Sequence, residues 1–444
     1  MTNQEVDEIC QLPTPNEYVS AQTDRTKTRG KTKNKQTHSL AELGSSQEIV
    51  ENSSNAPLID SKHVRIYAIY DSFDKLVHIK FDKNKYIPRS ILKIIGLIIK
   101  FQSHLTSITI NRGLDVYIVH EISKILPNSH ITDICLDGTF LKNANYYILL
   151  ENSSCIRHIS LARCMIDDMM LKKISENLAY PLPSSKTLCV LNISSNRITD
   201  SGVKYLAEAL RSNRQLRYLN LADNSITDDG ASAILNILVE FPLSWEDVIK
   251  SRERRMKYFR EKNKLVAKIL VELRRDKNYD KKSARKKTAI PSNNFSKKAG
   301  KGIEDEQSTK ALADTNRSVL NTDPFIFDRA EDMAVNAIGL FADPYSPNNT
   351  TLKDGIVYCT GNTALSYLNL SYNNLGYFSL KKILSVLKYQ KFLDSKPRGL
   401  INMCIEGNCT PVVCKELTQI NAILEIGLII QNKPFGSKNK SSHK

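Results

Sequence analysis

Cysteine spacing is the feature of this 444-residue chain that comes nearest to a metal site. Cys404, Cys409 and Cys414 follow one another in five-residue steps near the C-terminal end. Small zinc modules usually combine Cys-x-x-Cys pairs or add histidine, and neither accompanies these three cysteines. The spacing therefore predicts free thiols that pack as small apolar side chains, with no metal ion and no cofactor.

Residues that could perform catalysis are not grouped in a recognisable motif either. The sequence contains no Gly-x-Ser-x-Gly, no His-Glu-x-x-His and no phosphate-binding glycine loop. His158 falls in a segment with strand character, where a lone imidazole is more typical of a surface contact than of a general base. We therefore expect a protein that is not an enzyme and has no small-molecule substrate.

The elements that position these residues are indicated by a unit that occurs twice, 28 residues apart, between Leu188 and Leu238. Each copy begins with L-x-x-L-x-L-x-x-N, continues with Thr-Asp-x-Gly and ends in apolar residues at helical spacing. This is the pattern of a leucine-rich repeat, in which a short strand buries its apolar side chains and the asparagine bonds the turning backbone. One strand and one helix cannot bury their apolar sides alone, so further copies must stack against them.

The same pattern recurs on both sides of the central pair and gives eight candidate repeats. They begin at Leu76, Leu105, Ile131, Ile156, Leu188, Leu216, Leu365 and Leu400. The predicted fold is an α/β leucine-rich repeat solenoid, with a curved parallel sheet inside and helices outside. A long basic insertion interrupts it between the sixth and seventh repeats.

Composition predicts five regions along the chain. They are a disordered tail at 1–62, an N-terminal cap with repeats at 63–240, an insertion at 241–363, C-terminal repeats at 364–430 and a basic tail at 431–444. Within the insertion we expect a basic helix at about 245–275, a disordered basic linker at about 277–322 and a partly packed segment at 323–363. The sequence has no charged and apolar leader and no run of 18 apolar residues, which favours a cytoplasmic protein without a membrane span.

Positive charge is concentrated in the insertion. The whole chain has a net charge of +16, and the stretch from Glu246 to Lys301 contains 20 Lys or Arg against 7 Asp or Glu. Such a segment attracts nucleic acid, acidic lipid headgroups or acidic filament surfaces, although its few aromatic residues do not suit base stacking. It is a solvated spacer, a tether to a protein or filament, or a sequence-tolerant nucleic-acid binder. The candidate tether residues are Arg252, Arg254, Arg255, Lys281, Lys282, Arg285, Lys286 and Lys287.

Candidate contact residues follow from the alternation of side chains along each predicted strand. The positions on either side of the second leucine face the concave surface and form two columns across the repeats. If the insertion loops out of the stack, Tyr218 neighbours Tyr367, and both tyrosines offer large area with a polar end. The candidate partner-binding residues are Tyr218, Tyr367, Asn192, Asn220, Asn369 and His158. The alternative is that small polar residues keep an unused concave face soluble.

Two family resemblances extend this interpretation. The repeat length, the full helix and the Thr-Asp-x-Gly junction resemble the ribonuclease-inhibitor subclass of leucine-rich repeats, over roughly 76–240 and 364–420. The layout resembles the leucine-rich repeat-containing protein 71 family, with Phe241-Pro242-Leu243 before an Arg/Lys-rich insert and Lys353-Asp354-Gly355 before the repeats resume. The resemblance implies a non-enzymatic protein of ciliated or flagellated cells.

Three functional hypotheses result from the sequence. The first is a scaffold that binds other proteins through the concave face and the basic helix, and the second is a nucleic-acid-associated nuclear protein that uses the basic insert. The third is a GTPase regulator, because GTPase-activating proteins of the nuclear transport GTPase belong to the same repeat subclass. Those regulators have a strongly acidic tail, whereas residues 433–444 are basic here, which favours the scaffold.

Overall fold

The computed structural model describes residues 63–141, 145–151, 155–286, 324–393, 398–411 and 413–431. These residues form two compact units, one made of the chain up to Phe241 and from Thr360 onward, and the other of Pro242–Cys359. The predicted N-terminal tail, residues 287–322 of the predicted linker and residues 432–444 of the predicted C-terminal tail lie outside the described residues.

The strands of the first unit form one nine-stranded sheet in the order β1-β2-β3-β4-β5-β6-β7-β11-β12. The strands are β1 Ile66–Tyr70, β2 Leu76–Phe81, β3 Ser107–Ile110, β4 Asp133–Cys135, β5 His158–Ser160, β6 Val190–Asn192, β7 Tyr218–Asn220, β11 Tyr367–Asn369 and β12 Asn402–Cys404. β1 pairs antiparallel with β2, and the pairings from β2 to β12 are parallel. Each predicted repeat thus contributes one parallel strand, which confirms the leucine-rich repeat fold.

Helices connect these strands and pack alongside the sheet. In the first unit they are α1 Arg89–Ile98, α2 Val116–Ile125, α3 Ile148–Glu151, α4 Asp168–Leu178, α5 Ser184–Thr187, α6 Asp200–Ser212, α7 Asp228–Ile237, α10 Tyr377–Leu393 and α11 Lys415–Gln431. Short 3-10 turns span Ile99–Phe101, Leu126–Asn128 and Asn145–Tyr147. The core lies between sheet and helices, where Leu191, Leu219 and Leu368 are fully buried. Among the described residues, no helix is long and apolar enough to cross a membrane.

The asparagine of each regular repeat holds the turn after its strand. Asn196 Nδ2 donates to the carbonyls of Ile193 at 2.9 Å and Leu161 at 3.0 Å. Its Oδ1 accepts from the backbone N–H groups of Cys164 and Ile166, each at 3.0 Å. One half-buried amide therefore satisfies backbone groups of two successive repeats, which explains why the chain uses asparagine at this position.

Glycine replaces asparagine at the turn of the second repeat for a conformational reason. Gly113 has a φ of +82°, and a Cβ placed on it would meet the carbonyl oxygen of Asn84 at 2.7 Å. Only glycine adopts that conformation readily, and only glycine leaves room for the neighbouring turn.

The stack continues directly across the insertion. Leu219 of β7 is the register partner of Leu368 of β11. Asn373, after β11, accepts from the Ile226 N–H at 3.1 Å and donates to the Leu221 carbonyl at 3.0 Å. The insertion therefore leaves the sheet without breaking its register.

The second unit contains two helices and a small sheet. α8 spans Trp245–Lys286 and α9 spans Pro324–Ile338, while β8 Phe241–Pro242, β10 Ile356–Cys359 and β9 Thr350–Lys353 pair in that order. Pro347–Asn349 forms a 3-10 turn before β9. The apolar stripe of α8 at Val266, Ile269 and Leu270 packs with Ala330 and Ala334 of α9.

α8 continues past its expected end near residue 275. Residues 276–286 contain no glycine or proline, so nothing in their composition stops a helix that has already formed. The first part of the segment expected to be a disordered linker is therefore helical, and this part of the prediction is wrong.

Candidate protein-binding surface

Two tyrosines lie face to face on the side of the sheet opposite the helices, which we call the open sheet face. Tyr218 of β7 is the register partner of Tyr367 of β11, and their rings stack with centroids 4.0 Å apart and planes 3° apart. The leucine between each tyrosine and its following asparagine points into the core. Strand alternation therefore directs both rings outward, and we call the pair the tyrosine stack.

The environment of Tyr367 keeps its phenol protonated. Its hydroxyl lies 3.4 Å from the Cys404 thiol on the adjacent strand β12. Burial raises the pKa of the Tyr367 phenol, and the contacts with Cys404 and Tyr218 raise it further. The tyrosine stack offers a flat aromatic surface with hydroxyl groups, as is common at protein interfaces.

The three predicted asparagines form a row beside the tyrosine stack. Asn192, Asn220 and Asn369 are register partners on β6, β7 and β11. The Oδ1 of each accepts from the backbone N–H two residues later, at 3.2, 3.1 and 2.9 Å. These bonds form Asx turns at the strand ends, so the Oδ1 atom of each amide is already engaged within the fold.

The amide nitrogens of this row differ in their engagement. Asn192 Nδ2 donates to Ser160 Oγ at 2.9 Å. For Asn220 and Asn369, no acceptor in the described part of the chain bonds Nδ2, and both side chains are partly exposed. Two donors therefore remain next to the tyrosine stack for a polar group of a partner.

His158 belongs to a polar group farther along the same face. Its Nδ1 hydrogen-bonds Asp133 Oδ1 on the neighbouring strand, and the Thr132 hydroxyl also donates to that carboxylate at 2.5 Å. Ser107 is the register partner of Asp133 on the other side. The order serine, aspartate, histidine puts the acid between the other two, whereas a nucleophilic relay needs histidine in the middle. The arrangement suits surface contact.

The three cysteines with regular spacing are dispersed in the structure. Cys404 lies on β12 beside Tyr367, Cys409 is exposed in the following loop, and Cys414 Sγ accepts from the Leu417 N–H at 3.4 Å just before α11. Within the ranges that the structure describes, no three His, Cys, Asp or Glu side chains are placed to hold a metal ion.

The candidate tether residues fall into four groups. Arg252 and Arg255 are exposed on α8, and Arg255 lies over the Phe259 ring at 5.6 Å. Arg254 instead donates from Nε to Asp343 Oδ2 at 2.6 Å, so its charge is already neutralised inside the second unit. Lys281, Lys282, Arg285 and Lys286 belong to the final turns of α8, and Lys287 lies outside the described residues.

A third column of side chains was not predicted from the sequence, because the prediction used only the two positions beside the second leucine. The first variable position of L-x-x-L holds Arg157 and Arg217, and both are exposed at the edge of the sheet where the strands begin. The sequence does contain an indication of this column, because the two arginines occupy the same position of repeats that lie two strands apart.

A family model agrees with the repeat architecture. A family model described as leucine-rich repeat matches residues 184–207, 212–235 and 361–384, on both sides of the insertion. No curated protein matches the chain. Among solved structures, the chain is similar to leiomodin-1 actin-binding site 2, with 19% identity over 34% of this chain and 74% of that one, and a TM-score of 0.22.

Proposed function

We propose that this protein is a non-enzymatic scaffold that binds another protein through the open sheet face, with the tyrosine stack as the main anchor. The parallel stacking of the Tyr218 and Tyr367 rings carries the proposal. Aromatic anchors account for much of the free energy of binding at interfaces, because they bury large area and lose little conformational entropy. The free amide donors of Asn220 and Asn369 lie on the same strands and would orient the bound partner.

The basic helix α8 supplies the second part of this proposal. Arg252 and Arg255 are exposed, and α8 continues to Lys286 through the other candidate tether residues Lys281, Lys282 and Arg285. Such a helix attracts acidic protein or filament surfaces at a distance set by the Debye length, about 8 Å at physiological salt. We place the protein in the cytoplasm, in cilia or flagella, because its layout resembles the leucine-rich repeat-containing protein 71 family.

The anchor is tested by proximity labelling with the full chain in ciliated cells. A Tyr218→Ala/Tyr367→Ala variant is compared with Tyr117→Ala/Tyr205→Ala, which removes two exposed tyrosines from helices. We expect the first variant to lose the main labelled neighbours and the second to keep them. For a purified partner, loss of both anchors raises Kd about 30-fold, since a hot spot is worth about 2 kcal/mol. Equal labelling by both variants contradicts the proposal.

The tether is tested by charge reversal at Arg252→Glu and Arg255→Glu. Attraction to an acidic surface speeds association, so the variant should associate more slowly at low salt and equally fast at high salt. The matched control is Lys93→Glu/Lys172→Glu, which reverses two charges on helices of the repeats. If the α8 variant loses nucleic-acid binding and keeps its protein partner, the nucleic-acid hypothesis replaces the tether.

A further inference from the structure

A groove of about 590 Å³ lies along the edge of the sheet where strands β4 to β7 begin. We call it the rim groove. Four of its lining side chains are basic, namely His130, Arg157, Lys186 and Arg217. The groove belongs entirely to the repeats and is separate from the tyrosine stack.

The repeat geometry fixes the spacing of side chains along the rim groove. Thr132, Arg157, Cys189 and Arg217 occupy the same position of four successive repeats. Each backbone N–H donates to the carbonyl of the preceding one in this series, at 2.8, 2.8 and 2.9 Å. Because neighbouring strands lie about 4.8 Å apart, the Cα atoms of the two arginines are separated by about 10 Å.

The positive charge of the rim groove is not compensated locally. No acidic side chain lines it. Arg157 and Arg217 are exposed, and over the described ranges neither guanidinium forms an ion pair or a side-chain hydrogen bond. The nearest carboxylate in the column beside the groove is that of Asp133. It lies on the open sheet face, where His158 and the Thr132 hydroxyl already form hydrogen bonds with it. A concave surface with one sign of charge concentrates counter-ions of the opposite sign.

We propose that the rim groove binds an acidic peptide segment of a partner protein in an extended conformation. A guanidinium group forms paired hydrogen bonds with a carboxylate, so each arginine can take one Glu or Asp side chain. In the extended polyproline II conformation a peptide rises about 3.1 Å per residue with three residues per turn, so side chains at positions i and i+3 point to the same side about 9 Å apart. This spacing matches the separation of about 10 Å between the two arginines. The groove crosses several repeats, which suits a peptide better than a single small anion.

The test measures fluorescence anisotropy of a labelled Gly/Ser peptide with Glu at positions i and i+3, titrated with the full chain. We compare the wild type with Arg157→Gln/Arg217→Gln and with Arg112→Gln/Arg197→Gln, which changes the net charge equally through exposed arginines at the other ends of the strands. We expect about tenfold weaker binding for the groove variant and unchanged binding for the control. The wild type should bind less tightly as salt concentration rises.

Two further peptides separate this recognition from general charge attraction. Replacement of both Glu by Gln should weaken binding about tenfold, and placing the two Glu side by side should weaken it several-fold, because adjacent carboxylates cannot reach both arginines. No binding by the wild type, equal loss in the two variants, or equal affinity for the three peptides overturns the proposal. Since all four substituted arginines are exposed, matching circular dichroism spectra show that the variants are folded.

Discussion

At the scale of single residues, the Thr-Asp-x-Gly junction links the two central repeats. Asp200 begins α6, and its carboxylate accepts from the Thr227 N–H at 2.8 Å and from the Thr227 hydroxyl at 2.6 Å. Thr227 is the N-cap of the following helix α7, and the Gly230 N–H also donates to Asp200, at 3.1 Å. Glycine is needed there, because any Cβ at Gly230 would collide with the Asp200 carboxylate. One aspartate therefore holds the start of the next helix.

Replacement of this aspartate should destabilise the repeats measurably. Asp200→Ala leaves the Thr227 N–H and hydroxyl without their charged acceptor, and bonds of this kind contribute about 2 kcal/mol. We expect the free energy of unfolding to fall by about that amount and Tm to fall by about 5 °C, measured by circular dichroism. Asp229→Ala removes an exposed carboxylate from the same junction and is the control. Equal stability of the two variants would contradict the linking role.

His78 is expected to make stability depend on pH. Its ring Nε2 lies 3.0 Å from the Thr109 hydroxyl, and burial lowers the pKa of the imidazole, assisted by the charge of Lys80 and opposed by Asp133. The unfolded chain, with a histidine pKa of about 6.5, therefore binds the proton more readily than the folded chain. The stability contributed by the neutral ring is fully present above the unfolded-state pKa of about 6.5. It is lost as the pH falls from there through the lower pKa of the folded state.

The corresponding measurement is the denaturation midpoint of His78→Asn at pH 7.5 and at pH 5.5. Asparagine can still bond Thr109 but does not titrate, so the loss of stability on acidification should be smaller in the variant than in the wild type. The same loss in both proteins would show that His78 does not contribute to it.

At the scale of elements, α8 is held within the second unit by a buried ion pair. Arg254 donates from Nε and Nη2 to the two carboxylate oxygens of Asp343, at 2.6 and 3.2 Å. The Asp343 carboxylate is fully buried, and the Ser251 hydroxyl and the Tyr345 N–H also donate to it, at 3.1 and 2.9 Å. These donors compensate the charge of the buried carboxylate, and loss of the charged one would leave Asp343 without a counter-charge in a site that water does not reach.

Arg254→Met should therefore loosen α8 strongly. The substitution retains the apolar stem and leaves the Asp343 carboxylate buried without a counter-charge, at a cost of about 3 kcal/mol. We expect amide hydrogen exchange in the first half of α8 to accelerate about 100-fold, since each 1.4 kcal/mol is a factor of ten. Arg255→Met, at an exposed neighbour, should leave exchange unchanged. Slow exchange in both variants would contradict the structural role of the pair.

The elements also show which parts of the molecule could be predicted from sequence. Apolar periodicity fixed the parallel strands and the pairing of Leu219 with Leu368, because every inward position of a repeat must meet its equivalent in the next. The same alternation, together with an insertion that loops out of the stack, predicts Tyr218 beside Tyr367, as the register of β7 and β11 shows. The binding role of that pair stays a prediction.

Other features could not be predicted because they depend on packing between distant segments. Arg254 and Asp343 are 89 residues apart in the insertion, where no repeat relates one position to another. Arg254 therefore looked like one more basic residue of a solvated helix. The true end of α8 was also missed, since the polar residues after 275 show no apolar period, while their helix propensity permits continuation.

At the scale of the whole molecule, the repeats are expected to fold without the insertion. The two ends of the interruption already touch within the first unit, because the Asn362 N–H donates to the Ile237 carbonyl at 2.8 Å and Gly361 lies against the backbone of Val239. Asn362 Nδ2 also donates to the carbonyls of Leu210 and Asn213, each at 2.9 Å. A short connection can therefore replace the insertion without straining the sheet.

The final prediction concerns a chain in which residues 243–358 are replaced by a four-residue Gly/Ser linker. Stability of a solenoid is the sum of repeat and neighbour terms, and the β7 to β11 contact is retained, so Tm of the repeats should change by no more than a few degrees. The stacked rings should keep their near-ultraviolet circular dichroism signal, which Tyr218→Ala abolishes. Aggregation of the shortened chain, or loss of that signal, would show that the second unit is needed to complete the stack. A retained signal together with loss of salt-dependent partner association would assign anchoring to the repeats and electrostatic attraction to the insertion.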